Sequence, residues 1–329
     1  MLSKLLENHI SVDIRKMRAS DFLASQERFE LKKLENIQKG HGWKAVYHCP
    51  VCGSTDYEHE IEKHGIPLVR CTNCELRFHI KIPVDPNDIY QASNYTLYTK
   101  EDKKEGFDEN FEYRRERFGR ERIRLLEKYC GDLSNKTLLD IGCGNGYFLS
   151  VAKEVCKHCV GSELSARLRE FTQEKTGVTV YDEPLEDFPE RGFDIITAFD
   201  VIEHISTPVL FMQTTTNLLN PGGYVLLYTP NFDSFSIRVM RKYSSIIDGT
   251  EHIILFNHTS LEKLGERVGL EVIHMETRGL DIHSIIACES YLGEEVNTFL
   301  VQWLDELQAM IDASNAADYL RVIYRKMSG

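Results

Sequence analysis

Four cysteines, Cys49-Pro-Val-Cys52 and Cys71-Thr-Asn-Cys74, form two CxxC pairs separated by eighteen residues. Each pair turns two thiolates toward one point, and two such turns complete the tetrahedral four-sulfur shell that a structural zinc ion, Zn2+, prefers. A closed shell leaves no position for substrate, so the metal is expected to hold up the fold and to do no chemistry. Cys156 and Cys159 repeat the spacing at the end of an apolar helical stretch with no second pair, and are expected to pack in a core.

The second chemical pattern is Asp140-Ile141-Gly142-Cys143-Gly144-Asn145-Gly146, where an apolar strand opens onto a glycine turn and then a helix. Glycines let backbone lie against a bulky ligand where side chains would collide. The GxGxG spacing misses the dinucleotide fingerprint by one residue. Asp140 would repel a pyrophosphate and suits a cationic amino-acid group instead. Glu163 follows twenty-three residues later, at the end of the next strand, where a carboxylate accepts hydrogen bonds from both hydroxyls of a ribose. A ligand with an amino-acid end, a ribose and an adenine fits both features.

These groups need a frame. Residues 13 to 39 carry Met17, Phe22, Leu23, Leu31, Leu34 and Ile37 at helical spacing and end at Gly40 and Gly42, which predicts a packing helix or self-association arm. From Trp43 to Pro83 short β-like runs alternate with Cys, Gly and Pro, the text of a small β module. A polar stretch with Tyr90, Tyr95 and Tyr98 reads as a connection or lid, and FEYRRERFGRERIRLLEKY as a charged helix. From Lys136 onward strands and helices alternate, from TLLDIG to the last strand DYLRVIYRK, which requires a mainly parallel sheet covered by helices on both faces. Thr207 with Pro208 and the box Thr259 to Glu262 are expected helix starts. Between the last two strands, Phe299, Leu300, Trp303, Leu304, Leu307 and Ile311 repeat at helical spacing and predict an amphipathic helix that covers the core or a second subunit.

In order, LDIGCGNGYFL, the acid of VGSEL, FDIITAFDVIEHI, LLNPGGYVLLYTPN and EHIILFNHTSLEKLGERVGLEV resemble class I S-adenosylmethionine-dependent methyltransferases, over about residues 136 to 329. The resemblance implies a doubly wound, mainly parallel seven-stranded α/β sheet. It places Gly142, Gly144 and Gly146 along the methionine part of S-adenosylmethionine, Asp140 at their base and Glu163 on the ribose. It sets Leu185 and Glu186 beside the adenine, and Asp200 and Val201 on the sulfonium side. With the cysteine pairs in front, the chain looks like the zinc-ribbon methyltransferases of bacterial sugar and polysaccharide pathways. Some sugar C-methyltransferases in that wider group carry a Tyr-x-Glu-His element and a further His after the fourth strand. Glu251, His252 and His204 match those positions, and Gly249 stands where the Tyr would be. His252 and His204 are thus the candidate bases, with Glu251 orienting one of them.

Four segments are expected: a helical arm over 1–42, a zinc ribbon over 43–83, a connecting segment and helix over 84–135, and the methyltransferase domain over 136–329. Lys plus Arg count 39 against 51 for Asp plus Glu, a net charge of -12, with little general attraction for a polyanion. Nucleic acid is not the expected partner. The expected acceptor is a small sugar or sugar nucleotide, methylated on O, C or N. One rival is an RNA methyltransferase that uses the ribbon as its reader, which the sparse Lys/Arg content of 49–83 argues against. The other is a non-enzymatic zinc-ribbon adaptor, which the complete set of Asp140, glycines and Glu163 argues against. No apolar run is long enough to span a membrane, and reduced cysteines, a cytoplasmic location and a homodimer through the arm or the carboxy-terminal insertion are expected.

Overall fold

The computed structural model describes residue 6 and residues 9–18, 20–85 and 110–327. Tyr90, Tyr95 and Tyr98 lie outside the described residues. Apart from single turns, the order is α1 (Phe22–Lys39), β1 (Trp43–Ala45), β2 (Tyr57–Lys63), β3 (Ile66–Cys71), β4 (Arg77–His79), β5 (Lys81–Pro83), α2 (Arg120–Cys130), β6 (Thr137–Ile141), α3 (Tyr147–Val155), β7 (His158–Ser162), α4 (Ala166–Thr176), β8 (Val180–Tyr181) and β9 (Phe193–Phe199). It continues through α5 (Pro208–Leu218), β10 (Leu219–Pro230), α6 (Phe235–Met240), β11 (Ile254–Leu255), α7 (His258–Arg267), β12 (Leu270–Arg278), α8 (Asp281–Tyr291), α9 (Thr298–Gln302), α10 (Leu304–Ala313) and β13 (Tyr319–Lys326).

The chain forms two compact units, one of residues 1–98, 230–260 and 276–320, the other of 99–229, 261–275 and 321–329. Two segments from within the span expected for the methyltransferase domain therefore group with the amino-terminal residues. Among the described residues no helix is long and apolar enough to cross a membrane.

The second unit is built on the expected α/β sheet, seven strands in the order β12-β13-β10-β9-β6-β7-β8. The β6–β7, β7–β8, β6–β9 and β9–β10 pairs are parallel. The chain leaves β6 in one direction for β7 and β8 and returns to its other side for β9, so the carboxyl ends of β6 and β9 flank a topological switch point. Leu126, Leu138, Leu149, Ile195, Leu226 and Ile323 share one buried cluster, each side chain contributing roughly 1.5–3 kcal/mol through apolar burial. Cys156 and Cys159 pack against that cluster.

In the first unit β1 pairs antiparallel with β5, and β11-β4-β3-β2 form a four-stranded sheet. The α1 helix keeps Leu23 and Ile37 of its expected apolar face buried but turns Leu31 out, 50% exposed, and buries Glu30 and Lys33 beside them, each 1% exposed. Both side chains meet buried partners, Lys63 for Glu30 and Asp248 for Lys33, and burial of a paired polar group is tolerated where burial of a lone one is not. The expected single helix near the carboxy-terminus is broken at Trp303, whose φ of -111° and ψ of 26° separate α9 from α10. Phe299 stays 56% exposed while Gln308 and Asp312 turn inward, because the Gln308 amide donates to both Asp281 and Asp312. The expected box at Thr259 is displaced by two residues: the Asn257 side chain accepts from the Ser260 amide and the Ser260 hydroxyl accepts from the Asn257 amide, both at 2.9 Å. Pro208 opens α5 as expected, without a side-chain cap from Thr207.

Candidate functional site

In the second unit the turn after β6 needs its glycines. Gly142, Gly144 and Gly146 have φ of 67°, 56° and 78°, a region that side chains with a Cβ disfavour. A Cβ on Gly142 would come within 2.6 Å of Val201, and one on Gly146 would collide with Thr172. At Gly144 nothing lies within 4 Å, so space remains over the middle of the turn. The amides of Gly142 and Cys143 donate to the Ser162 carbonyl at 2.8 and 3.0 Å, tying the turn to β7.

Glu163 follows β7 directly. One carboxylate oxygen accepts from the Gly144 amide at 3.1 Å and the other from the Ser165 amide at 2.8 Å. Each oxygen retains acceptor capacity for a hydroxyl, because an ionised carboxylate offers about four lone-pair sites. Burial pushes the Glu163 carboxyl above its ordinary range, against the pull of these amides. Asp140 is 1% exposed and its Oδ1 accepts from the Thr197 hydroxyl at 2.6 Å. Burial raises it to about 7, with Thr197 and Arg122 opposing.

Asp200, exposed and at a φ of 58°, begins the loop after β9, and Val201 stands against Gly142. Leu185 and Glu186 lie in the single turn Leu185–Asp187 after β8. All nine expected cofactor residues therefore follow or end the strands β6, β7, β8 and β9.

Sequence reasoning missed Arg122. It projects from α2 into three aromatic rings, with its guanidinium carbon 3.8 Å from the Phe199 ring centre, 4.8 Å from that of Tyr228 and 5.2 Å from that of Tyr147. It also donates to the Tyr147 hydroxyl. Burial opposes its charge, but the fields of Tyr147, Tyr228, Asp200 and Asp140 outweigh that and raise its pKa. The clue in the sequence was helical phase: Arg122 lies three and four residues before Leu125 and Leu126, on the inward face.

The expected bases fall in different units. His204 closes the turn Ile202–His204 of the second unit, half-buried, with its amide donating to the Val201 carbonyl at 3.0 Å. Its neighbour Glu203 is buried and accepts from the Thr229 hydroxyl at 3.0 Å. In the first unit Glu251 and His252 are adjacent in one loop. The His252 Nδ1 lies 2.8 Å from the Ile246 carbonyl; a carbonyl only accepts, so Nδ1 carries the proton in the neutral ring and Nε2 is the basic nitrogen. Asp248 organises this loop, its Oδ1 accepting from the amides of Thr250, Glu251 and His252 at 2.7, 2.9 and 3.2 Å. At Gly249, φ is 71° and a Cβ would press on Ile66 and His79 at 3.2 and 3.3 Å, so the tyrosine of the resembling element has no room here.

The four cysteines Cys49, Cys52, Cys71 and Cys74 converge in the first unit, with all four sulfurs within 4.8 Å of one another. The Cys49–Cys74 and Cys52–Cys71 sulfurs are 3.4 and 3.5 Å apart. A tetrahedron with metal–sulfur bonds of about 2.3 Å has edges of about 3.8 Å, so the donor set and its spacing fit a thiolate-bound zinc. Each pair closes in a tight turn followed by a left-handed residue, Gly53 at a φ of 78° and Glu75 at 62°. The Glu75 carboxylate accepts from the Asn257 amide at 2.9 Å.

A family model described as a methyltransferase domain matches residues 111–275. The ubiquinone biosynthesis O-methyltransferase of Paraburkholderia xenovorans (strain LB400) is 30% identical over 129 residues, 37% of this chain and 53% of that protein. The enzyme of the same name from Actinobacillus pleuropneumoniae serotype 7 (strain AP76) is 24% identical over 145 residues, 40% of this chain and 59% of its own. The chain thus spans little more than half the length of these curated relatives. Among solved structures, a chain of the Haloferax volcanii complex between the Trm112 methyltransferase activator and a methyltransferase matches with a TM-score of 0.50 and 13% identity, over 67% of this chain and 93% of that one. That likeness is one of fold.

Proposed function

Because the chain belongs to the methyltransferase-domain family and so carries an S-adenosylmethionine-dependent methyltransferase domain, we propose that it methylates a hydroxyl of a small, sugar-derived acceptor. The observation that carries the cofactor part is the Glu163 carboxylate bonded to the Gly144 amide over an open glycine turn at the switch point. S-adenosylmethionine supplies an electrophilic methyl group on a sulfonium. In our reading Glu163 receives the ribose hydroxyls, while Gly142, Gly144 and Gly146 let the backbone approach the methionine part. Val201 and Asp200 border the sulfonium side, and Leu185 and Glu186 flank the adenine. Arg122 receives the methionine carboxylate, a role the sequence alone did not suggest, and its aromatic cage pre-orients it for one anion. Arg122→Met is expected to weaken S-adenosylmethionine binding about tenfold or more in calorimetry while leaving adenosine binding nearly unchanged; equal affinity of the variant and the wild type would refute that role.

Transfer to oxygen rather than carbon is favoured by the names of the relatives and by Gly249, which leaves no phenol in the loop. Deprotonation of the acceptor falls to His252 through Nε2, with His204 as the second candidate and Glu251 as the orienting carboxylate. General-base help is typically worth roughly a hundred to ten thousand fold. His252→Ala is thus expected to lower kcat by about that range and to be partly relieved at high pH, where hydroxide substitutes. His204→Ala is expected to have the smaller effect, and neither variant to change cofactor affinity. The test is labelled S-adenosylmethionine offered to a panel of nucleotide sugars and catechols, with RNA as control. Label transferred only to RNA, or wild-type turnover by both folded variants across pH, would overturn the acceptor and the base respectively.

In the same reading Cys49, Cys52, Cys71 and Cys74 hold one structural zinc. Its shell is closed, so its work is to fix the β1–β2 and β3–β4 turns relative to each other.

A further inference from the structure

The amino-terminal helix buries two titratable side chains, Glu30 and Lys33, beside Leu23 and Ile37. Lys33 Nζ lies 3.1 Å from Asp248 Oδ2 and 3.4 Å from Glu251 Oε2, and 4.9 Å above the Phe29 ring. One turn earlier, Glu30 is bound by Lys63 of β2 at 2.7 Å, and Lys63 also donates to the Ser244 carbonyl at 3.4 Å. A scaffold needs none of this, since a buried ion pair replaced by apolar residues of similar volume is often as stable or more so. What such a pair supplies is a single fixed geometry. Here the geometry is that of the loop bearing the proposed base: Asp248 spends one oxygen on three successive loop amides and the other on Lys33.

We propose that Lys33 is a positioning residue for the Glu251–His252 pair, clamping their loop through Asp248 and holding the Glu251 carboxylate directly. The inference rests on the reading of His252 as the base. It converts the amino-terminal helix from an arm into a support of the loop that carries the proposed base. Burial alone would push the Asp248 carboxyl up, but Lys33 and His252 hold it well below the usual carboxylate range. Asp248 therefore stays an anion, and removal of Lys33 leaves that anion buried and unmatched.

The test uses the zinc-loaded full-length protein and needs no acceptor. Its readouts are amide hydrogen exchange over residues 246–255 and the histidine ring 15N spectrum. In Lys33→Met the amides of Thr250, Glu251 and His252 are expected to exchange tenfold faster or more, and the ring Nδ1–H resonance of His252 to be lost, with exchange in α3 and S-adenosylmethionine affinity within about twofold of wild type. In Lys33→Met/Asp248→Asn the side-chain oxygen at 248 still accepts from the three amides and the unmatched Asp248 charge is gone, while Glu251, which is less buried than Asp248, loses its Lys33 partner in both variants alike. This double variant is expected to regain the slow amides and the ring resonance, and it carries the test alone if the single variant does not fold. A folded Lys33→Met with wild-type loop exchange and ring signal overturns the proposal, as does a folded double variant whose loop exchanges as fast as an unprotected peptide. Wild-type turnover by His252→Ala would instead sink the proposed base, without altering what the loop exchange and the ring signal of the Lys33 variants report.

Discussion

Cys71→Ser is expected to strip the protein of zinc and of a folded amino-terminal unit together: metal content falls from one ion per chain to near none, and soluble yield falls with it. Cys71 is fully buried at the end of β3, its sulfur 3.5 Å from that of Cys52. Its amide donates to the Leu76 carbonyl at 2.9 Å, so the residue links the sheet to the second cysteine turn. Apparent binding energies of structural zinc in small domains are on the order of 10–16 kcal/mol, comparable with the whole stability of a domain at about 5–15 kcal/mol. Three thiolates cannot replace that term. Metal analysis with thermal melting of the variant, and of the wild type before and after chelation, measures it. A well-folded native preparation that contains no zinc would refute the metal assignment.

Glu163→Ala is expected to lower affinity for S-adenosylmethionine and for its demethylated product by tenfold or more. Charge-assisted hydrogen bonds from the ribose are each worth on the order of 1.5–3 kcal/mol. The variant also removes the acceptors of the Gly144 and Ser165 amides, so part of the loss comes from a slackened glycine turn. Glu163→Gln separates the two effects: its amide oxygen can keep one of those backbone bonds while the charge is lost, and an intermediate affinity is expected. Calorimetry on folded variants decides. Tight NAD binding by the wild type with no response to S-adenosylmethionine would end the cofactor reading altogether.

The cofactor turn was readable because its information is local. A left-handed backbone, a strand leading in and a helix leading out are all decided within about ten residues, and glycine is the residue that permits the first. The CxxC pairs are legible for a similar reason, since each is a self-contained turn and the metal geometry restricts how two of them combine. Arg122 was not legible as a site residue. Its surroundings come from Tyr147, Phe199 and Tyr228, which sequence distance separates by up to about a hundred positions, and a basic residue in a charged helix reads as solvated by default.

By itself, then, the sequence determined the strand and helix alternation and with it a mainly parallel sheet, the glycine turn with Asp140 and Glu163, and the two cysteine turns, whereas the count of seven strands was implied by the resemblance. Each of the determined features follows from periodicity or from a short-range stereochemical demand. Tertiary structure alone decided that residues 230–260 and 276–320 group with the amino-terminal unit. It also decided that α1 buries two titratable side chains beside Leu23 and Ile37. Apolar spacing pointed to Leu31, yet Glu30 and Lys33 went inside, because Lys63 and Asp248 arrive from 33 and 215 residues away to meet them. A charge is buried only when its partner is buried with it, and where that partner will be is a property of the folded chain that no window of sequence contains.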